Sequence, residues 1–486
     1  MSPTSNALEQ RVALKWVMRS TFAPLVLALA LIAPPVTVSV RAEGSAADVE
    51  RRAIQRRAVE AVVWGMPVVN FDRMLQAAMA NGAKPNQVVY WSRPVNWKDQ
   101  TLTPNTDTIY FNPFYDTRGG PVVLEIPPAE GDASITGSID TAWQNALEDV
   151  GPAGVDKGRG GKYLITPPGF KEKAPEGYIV LPSDTYQGFA ILRSNFKGGS
   201  EADIAAAVAY GKRIKIYRLN QPAEQTVFVD VYDRLFDATI PYDSRYFESL
   251  HRMVQVEPWL TRDKAMIDLL KTIGIEKGKP FAPDADAKTL LAQAAREARA
   301  FIDSRYEAAL AQPLFPGSRW GLPGEKSLID GMASGFADPD SYPVDQRGVM
   351  YSAVYYSAKH LGTGQFYLLA IGDQAGRPLE GKKTYRLHVP PKAPVRLYWS
   401  ATVYDRETHA MIRETARSSR GSNSAGLQVN PDGSVDLYFG PSAPAGKEAN
   451  WVPTAGRAFE VLFRFYGPEK SLFEKTWLLP DIEEEK

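Results

Sequence analysis

Four carboxylates stand where acid–base chemistry can be asked of them: Asp107, Asp116, Asp140 and Asp405. Asp107 leads, because it sits beside Asn105 and Tyr110 in the segment Thr103-Pro104-Asn105-Thr106-Asp107-Thr108-Ile109-Tyr110-Phe111-Asn112-Pro113-Phe114, which crowds turn formers, a carboxylate and aromatics together. A metal-independent enzyme of hydrolase or lyase type would use Asp107 as general acid or base, with Arg464 or Tyr110 steadying developing negative charge. The plainer role comes first: Asn105 and Asp107 fold their side chains onto the local backbone and only build a turn that feeds a strand. Calcium suits such hard oxygen donors, but no twelve-residue ligand loop is present, so no metal is expected.

Other chemistries find less support. There is no Gly-x-Ser-x-Gly elbow, and His251, His360, His388 and His409 show no metal-ligand spacing, so each histidine reads as structural. The absence of cysteine excludes disulfide staples, thioether-bound haem, zinc knuckles and thiol nucleophiles, and no cofactor is expected. Near the C-terminus the apolar run Phe459-Glu460-Val461-Leu462-Phe463 leads into Arg464 and Tyr466, and strand alternation places Arg464 on the face of Leu462 and Tyr466. An arginine on that face needs a carboxylate or a ligand, and Asp405 and Glu460 are candidate partners. Trp91, Trp97, Tyr110, Phe111, Tyr115 and Trp143 cluster in one region and suit a glycan or apolar ligand, or equally a sandwich core. Tyr110 and Phe111 must point to opposite faces, so only one side of their strand can belong to a site. The candidate ligand-binding set is therefore Asn105, Thr106, Tyr110, Trp143, Arg464 and Tyr466.

These side chains must be positioned by elements that the sequence also marks. Residues 46–63 place Val49, Ile54, Val59 and Val63 at helical spacing; Gly65-Met66-Pro67 predicts its end, and 70–80 a second helix. From Val88 the pattern becomes short β-branched and aromatic runs at 88–91, 108–111, 122–126, 135–139, 163–166, 178–181 and 188–192, the signature of a sandwich or barrel. Gly158-Arg159-Gly160-Gly161 enters a strand-like run and opens no helix, so it reads as a hairpin loop and no phosphate cradle. Helices follow at 201–210, 243–255 and 258–274, and 285–311 is expected to be the longest helix. Residues 314–345, rich in Gly, Pro, Asp and Ser, read as a long ordered loop or linker. Strands return at 365–370, 383–389, 395–403, 434–439 and 458–465, with Asn430-Pro431-Asp432-Gly433 as a hairpin turn after a strand at 427–429.

The chain has 486 residues, with a composition able to fill real cores. Its start carries Arg11, Lys15 and Arg19, then the apolar run 22–40 and the small-residue site Val40-Arg41-Ala42, which together predict a cleaved secretory signal over 1–42 and a periplasmic or secreted protein. Pro34 and Pro35 interrupt that run, against a retained membrane span of about 20 residues. Removing four cations and one anion from a neutral chain leaves a balance of −3, which is no charge for nucleic acid.

Several of these segments together resemble a bacterial family of two linked domains of unknown function, numbered 1254 (N-terminal) and 1214 (C-terminal). The N-terminal resemblance rests on Trp64-Gly65-Met66-Pro67, on residues 103–110, and on Asp237-Ala238-Thr239-Ile240-Pro241-Tyr242-Asp243 with Phe247-Glu248 and Val256-Glu257-Pro258. The C-terminal one rests on Trp399-Ser400-Ala401-Thr402-Val403-Tyr404-Asp405 and on Asn450-Trp451-Val452-Pro453 through Arg464-Phe465-Tyr466-Gly467-Pro468. The family usually has a second proline shortly after the Asn-Trp motif, where this chain has Thr454-Ala455. What the resemblance implies is architectural: two jelly-roll-type β-sandwich domains with a helical part between them.

The expectation is thus a mainly β fold with a helical section (α+β), made of a β domain with leading helices at 43–240, a helical section and linker at 241–345, and a β-sandwich at 346–486. It would be an exported cell-envelope protein that binds a small molecule or glycan. The alternatives are the Asp107 enzyme and a structural module whose β edges form a homo-oligomer.

Overall fold

The computed structural model describes residues 44–195, 200–322, 324–355, 357–360 and 364–485. The signal expected over 1–42 lies outside these residues. Among them, no helix is long and apolar enough to cross a membrane. The fold is mainly β with a helical section, and its sheets do not close into a barrel.

Helix α1 (Ala46–Ala80) runs unbroken through Pro67, against the predicted break, and at 35 residues it, not the helix beginning at Ala285, is the longest. Local chemistry favours a stop there, since proline withholds an amide and crowds the preceding turn. Burial overrides it: every residue from Ala61 to Phe71 is buried, and Tyr246 Oη donates to the Val62 carbonyl at 2.7 Å. Gly65 is where Leu250 presses on α1, with room for only a tight Cβ contact at 3.0 Å.

The N-terminal strands are β1 (Gln87–Tyr90), β2 (Asp99–Gln100), β3 (Ile109–Asp116), β4 (Val122–Ile126), β5 (Ile135–Thr141), β6 (Ala146–Val150), β7 (Gly161–Thr166), β8 (Ile179–Pro182), β9 (Gln187–Ser194), β10 (Lys215–Arg218), β11 (Phe228–Asp230) and β12 (Phe236–Asp237), with α2 (Glu201–Gly211) between β9 and β10. A six-stranded sheet, β11-β1-β3-β9-β5-β6, packs one face on the sheet β10-β4-β7-β8 through Val88, Ile109, Phe111, Leu124, Tyr163 and their neighbours. Its other face carries Val89, Trp91, Tyr110, Phe114 and Ile191 into the core built on α1. Burial on both sides explains why β3 and β9 have no exposed residue. The loop at Gly158 joins β6 to β7, which belong to different sheets, so it is a crossover and not the predicted hairpin.

The helical section comprises α3 (Arg245–Val256), α4 (Lys264–Thr272), α5 (Ala285–Leu310), α6 (Lys326–Ser334) and α7 (Val344–Ala353). Helix α6 lies in the stretch read as loop. Gly331 and the surrounding Asp and Ser mask a short apolar stripe in which Leu328 and Met332 pack on Phe336. The C-terminal strands are β13 (Gln365–Ala370), β14 (Tyr385–Val389), β15 (Trp399–Asp405), β16 (Ser419–Gly421), β17 (Val435–Gly440), β18 (Trp451–Pro453), β19 (Phe459–Tyr466) and β20 (Glu483–Glu484), with α8 (Lys470–Phe473) after β19. Sheets β13-β19-β15-β16 and β18-β17-β14-β20 enclose a second core around Leu387, Phe439, Val461 and Phe463.

The turn at Asn430 forms, with Gly433 N–H donating to Asn430 O at 2.9 Å, but residues 427–429 are not a strand. The Asn450 side chain takes the partner strand's place: its Oδ1 accepts from Gln428 N–H and its Nδ2 donates to Gln428 O, both at 2.8 Å. Ala455 follows with φ +48°, a value a proline ring does not allow.

Candidate functional site

The β3–β9–β5 face and the outer face of β13–β19–β15 meet across the segment 103–108, and a cavity of about 750 Å³ lies between them, closed on one side by α6 and α7. The segment is built as the sequence suggests: Asn105 Oδ1 accepts the Asp107 N–H at 2.8 Å, a local Asx turn. Alternation then sends Tyr110 and Asn112 into the cavity wall and Phe111 into the opposite core.

What holds the segment comes from the far end of the chain. Thr103 has φ +41°, costly for a threonine and more so before proline. Tertiary bonds hold it there: its N–H donates to His409 O at 2.7 Å, its hydroxyl to Ala353 O at 3.1 Å, and its carbonyl accepts from Arg464 Nη2 at 3.0 Å. Tyr404 Oη donates to Pro104 O at 2.5 Å, and Tyr398 Oη to Asp107 O at 3.2 Å. Tyr466 Oη donates to Asn105 Oδ1 at 2.9 Å and lies 3.1 Å from Asp107 Oδ2, which also accepts from Ser400 Oγ at 2.7 Å. The register explains the convergence, because Ser400 and Tyr367 flank Arg464 directly across the sheet.

Asp107 is half-buried against the cavity, and burial pushes its carboxyl above the usual range, opposed by the Ser400 and Tyr466 hydroxyls and the nearby Arg464 charge. Its partners are side-chain hydroxyls and, among the described residues, no backbone amide. Arg464 is 1% exposed and, among the described residues, bonds only neutral oxygens: Thr402 Oγ1 at 2.8 Å, Tyr404 Oη at 2.6 Å and the Thr103 and Pro104 carbonyls. Asp405 and Glu460 are not its partners. Asp405 pairs with Arg457 at 2.7 Å, and Glu460 points to His409 and Tyr306.

Of the candidate ligand residues, Asn105, Tyr110, Arg464 and Tyr466 line the cavity with Asp107. Thr106 and Trp143 do not; Trp143 packs on Trp64 at 4.7 Å, in another part of the core. Asp116 is paired with Arg118, and Asp140 is buried behind the sheet. Three cavity carboxylates escape a reading of local motifs, namely Asp99, Asp132 and Asp149, the last holding His360 Nδ1 at 2.9 Å. Ser400 and Tyr404 share a face in a motif already singled out, and alternation alone would have flagged them. Among the described residues no group of three His, Cys, Asp or Glu is placed to hold a metal.

Asp99 gives a direct test of cavity electrostatics. Burial pushes its carboxyl up to about 7, opposed only by Thr101. The native state then keeps a proton that the unfolded chain has released from about pH 4, so this group lowers stability as pH rises, by up to about 1.4 kcal/mol per pH unit, until about pH 7. Asp99→Asn keeps the acceptor for Thr101 N–H and should remove that slope. Urea unfolding of the two proteins across pH 4–8 should show the variant gaining relative stability with pH; parallel curves would refute it.

Comparison with known proteins matches two segments that contribute to this site. Residues 85–218 match the family described as Protein of unknown function (DUF1254), and residues 364–470 the one described as Protein of unknown function (DUF1214). The chain carries both domains. The DUF1254 domain supplies Asn105, Asp107 and Tyr110, and the DUF1214 domain Ser400, Arg464 and Tyr466, so the site needs the two together. The crystal structure of the VPA0106 protein from Vibrio parahaemolyticus shares the fold at 17% identity, with a TM-score of 0.53 over 89% of this chain and 100% of that one. An uncharacterised Burkholderia cenocepacia protein aligns at 11% identity and a TM-score of 0.39, over 90% and 95% of the respective chains. No curated protein matches this sequence.

Proposed function

We propose that this is an exported protein that binds a small amphipathic molecule in the cavity between its two domains. One observation carries the reading. Asn105 Nδ2, Thr108 Oγ1, Asn112 Oδ1 and Tyr355 Oη, each on a cavity-lining residue no more than 4% exposed, make no hydrogen bond among the described residues. Buried polar atoms of this kind are costly unless something partners them. The polar end of the ligand lies at Asn105, Asp107 and Tyr466, and its apolar body along Leu328, Met332, Met350, Leu369 and Leu462. A glycan on an open aromatic platform is disfavoured, since Trp91, Tyr110, Phe111, Tyr115 and Trp143 are all buried. The basic and apolar N-terminal stretch supports export.

Purified protein lacking residues 1–42, screened by thermal shift against fatty acids, aromatic acids, alcohols and sugars, is expected to gain several degrees with an amphipathic acid or alcohol and none with sugars. Leu462→Trp, which fills the cavity, should abolish the gain. An unchanged midpoint across the panel, or a gain that survives Leu462→Trp, would reject the reading.

A catalytic version of the same site is favoured by Asp107, whose carboxyl burial raises above the usual range beside Arg464. Asp107 then acts as acid toward the bound molecule and Arg464 steadies its negative charge. Recovery of every bound compound chemically unchanged after prolonged incubation would exclude it.

A further inference from the structure

Arg464 presents a charge problem that the protein answers only in part. Its guanidinium stays protonated at any accessible pH, and an unpaired charge in a buried place is expensive. Its bonds go to two hydroxyls and two backbone carbonyls, and among the described residues its buried Nε–H makes none. Asp107 faces it without forming an ion pair; Ser400 Oγ holds that carboxylate, and Tyr466 Oη lies 3.1 Å from it.

The unused groups at this pole are donors. Asn105 Oδ1 is committed to the Asp107 N–H and to Tyr466 Oη, which fixes the amide and leaves Nδ2 as an unengaged N–H donor on the cavity that Arg464 also lines. A ligand end that satisfies them must be rich in acceptors. We propose that the cavity takes a monoanionic amphiphile, a carboxylate on an apolar body, whose head becomes the counter-ion of Arg464, and that one proton passes from solvent to Asp107 as it binds.

The proposal rests on the cavity reading and specifies its ligand. Two carboxylates around one guanidinium in a poorly solvated site share a proton, as like charges there cannot both stay ionised. The titratable groups facing Asp107 are Arg464 and Tyr466 on β19 and Tyr398 just before β15, with Tyr367 on β13 next to both tyrosines. Tyr398 and Tyr466 are held above the ordinary phenol range by burial and by Asp107 itself, so neither supplies the proton near neutral pH. Asp99, Asp132, Arg193, Asp149 and His360 line other parts of the cavity.

The test is calorimetry with decanoate, decanamide and decyltrimethylammonium, repeated in two buffers of different ionisation enthalpy. Decanoate should bind at least tenfold more tightly than decanamide, and the cation not at all. Decanoate binding should take up as much as one proton per site, its affinity falling toward tenfold per pH unit above the Asp107 midpoint. Asp107→Asn should still bind decanoate and take up none. Equal affinity for acid and amide, or uptake undiminished in Asp107→Asn, overturns the proposal. Binding of decanamide without decanoate overturns it while leaving the cavity reading intact; failure of all three probes, with no thermal gain from any amphiphile, overturns both.

Discussion

Glu460→Ala is expected to lower stability by about 2–5 kcal/mol, the cost of leaving two buried hydrogen-bonding groups without their acceptor at about 1–3 kcal/mol each. Glu460 lies in β19 with no exposed surface, where Oε1 meets His409 Nδ1 at 2.8 Å and Oε2 accepts from Tyr306 Oη at 2.9 Å. His409 and Tyr306 are themselves nearly inaccessible, so truncation strands two polar groups where no water replaces the acceptor. Arg406, stacked over the Tyr306 ring at 5.0 Å, loses a nearby opposing charge as well. The effect reaches the site because the His409 carbonyl anchors Thr103, and through it the turn that carries Asp107. Glu460→Gln retains an acceptor and should lose clearly less. Urea unfolding of both variants checks this, and a Glu460→Ala protein within about 1 kcal/mol of the parent would show that the cluster is dispensable.

A second large loss is expected from one added methyl group, in Gly137→Ala. Gly137 sits in the middle of β5, opposite Leu192 of β9 and Val150 of β6, at φ +153°. A Cβ there would overlap the Ile191 carbonyl oxygen and crowd the Leu192 backbone, and neither can yield without parting the strands. Backbone strain of about 1–3 kcal/mol and a comparable overpacking cost place the loss above about 3 kcal/mol. Gly137 also lines the cavity, so any folded fraction should bind ligand more weakly. Scanning calorimetry with a parallel ligand titration tests both; a variant that melts with the parent would mean that the strands accommodate the methyl.

Much of the local design is legible in the chain itself. Short-range chemistry sets the Asx turn at Asn105, because a side-chain oxygen two residues from an amide needs no distant partner. The two-residue period of a strand separates Tyr110 from Phe111 and groups Leu462, Arg464 and Tyr466 on one face. Where local signals mislead, packing is the reason. Pro67 argues for a helix end, yet the buried surroundings of α1 carry the helix through it. Asn450 replaces a strand that the Asn-Pro-Asp-Gly turn predicts.

The segment from Thr103 to Phe114 shows the division most clearly. By itself the sequence determined a polar turn feeding a strand with Asp107 at its head, since those features depend on neighbours within a few residues. Only the tertiary structure decided that Asp107 meets Ser400 and Tyr466, that Arg464 braces Thr103 without an ion pair, and that Trp143 lies elsewhere. A strand's period says which residues share a face but not which face it will meet. That choice is made when two sheets from opposite ends of the chain bury their surfaces against each other.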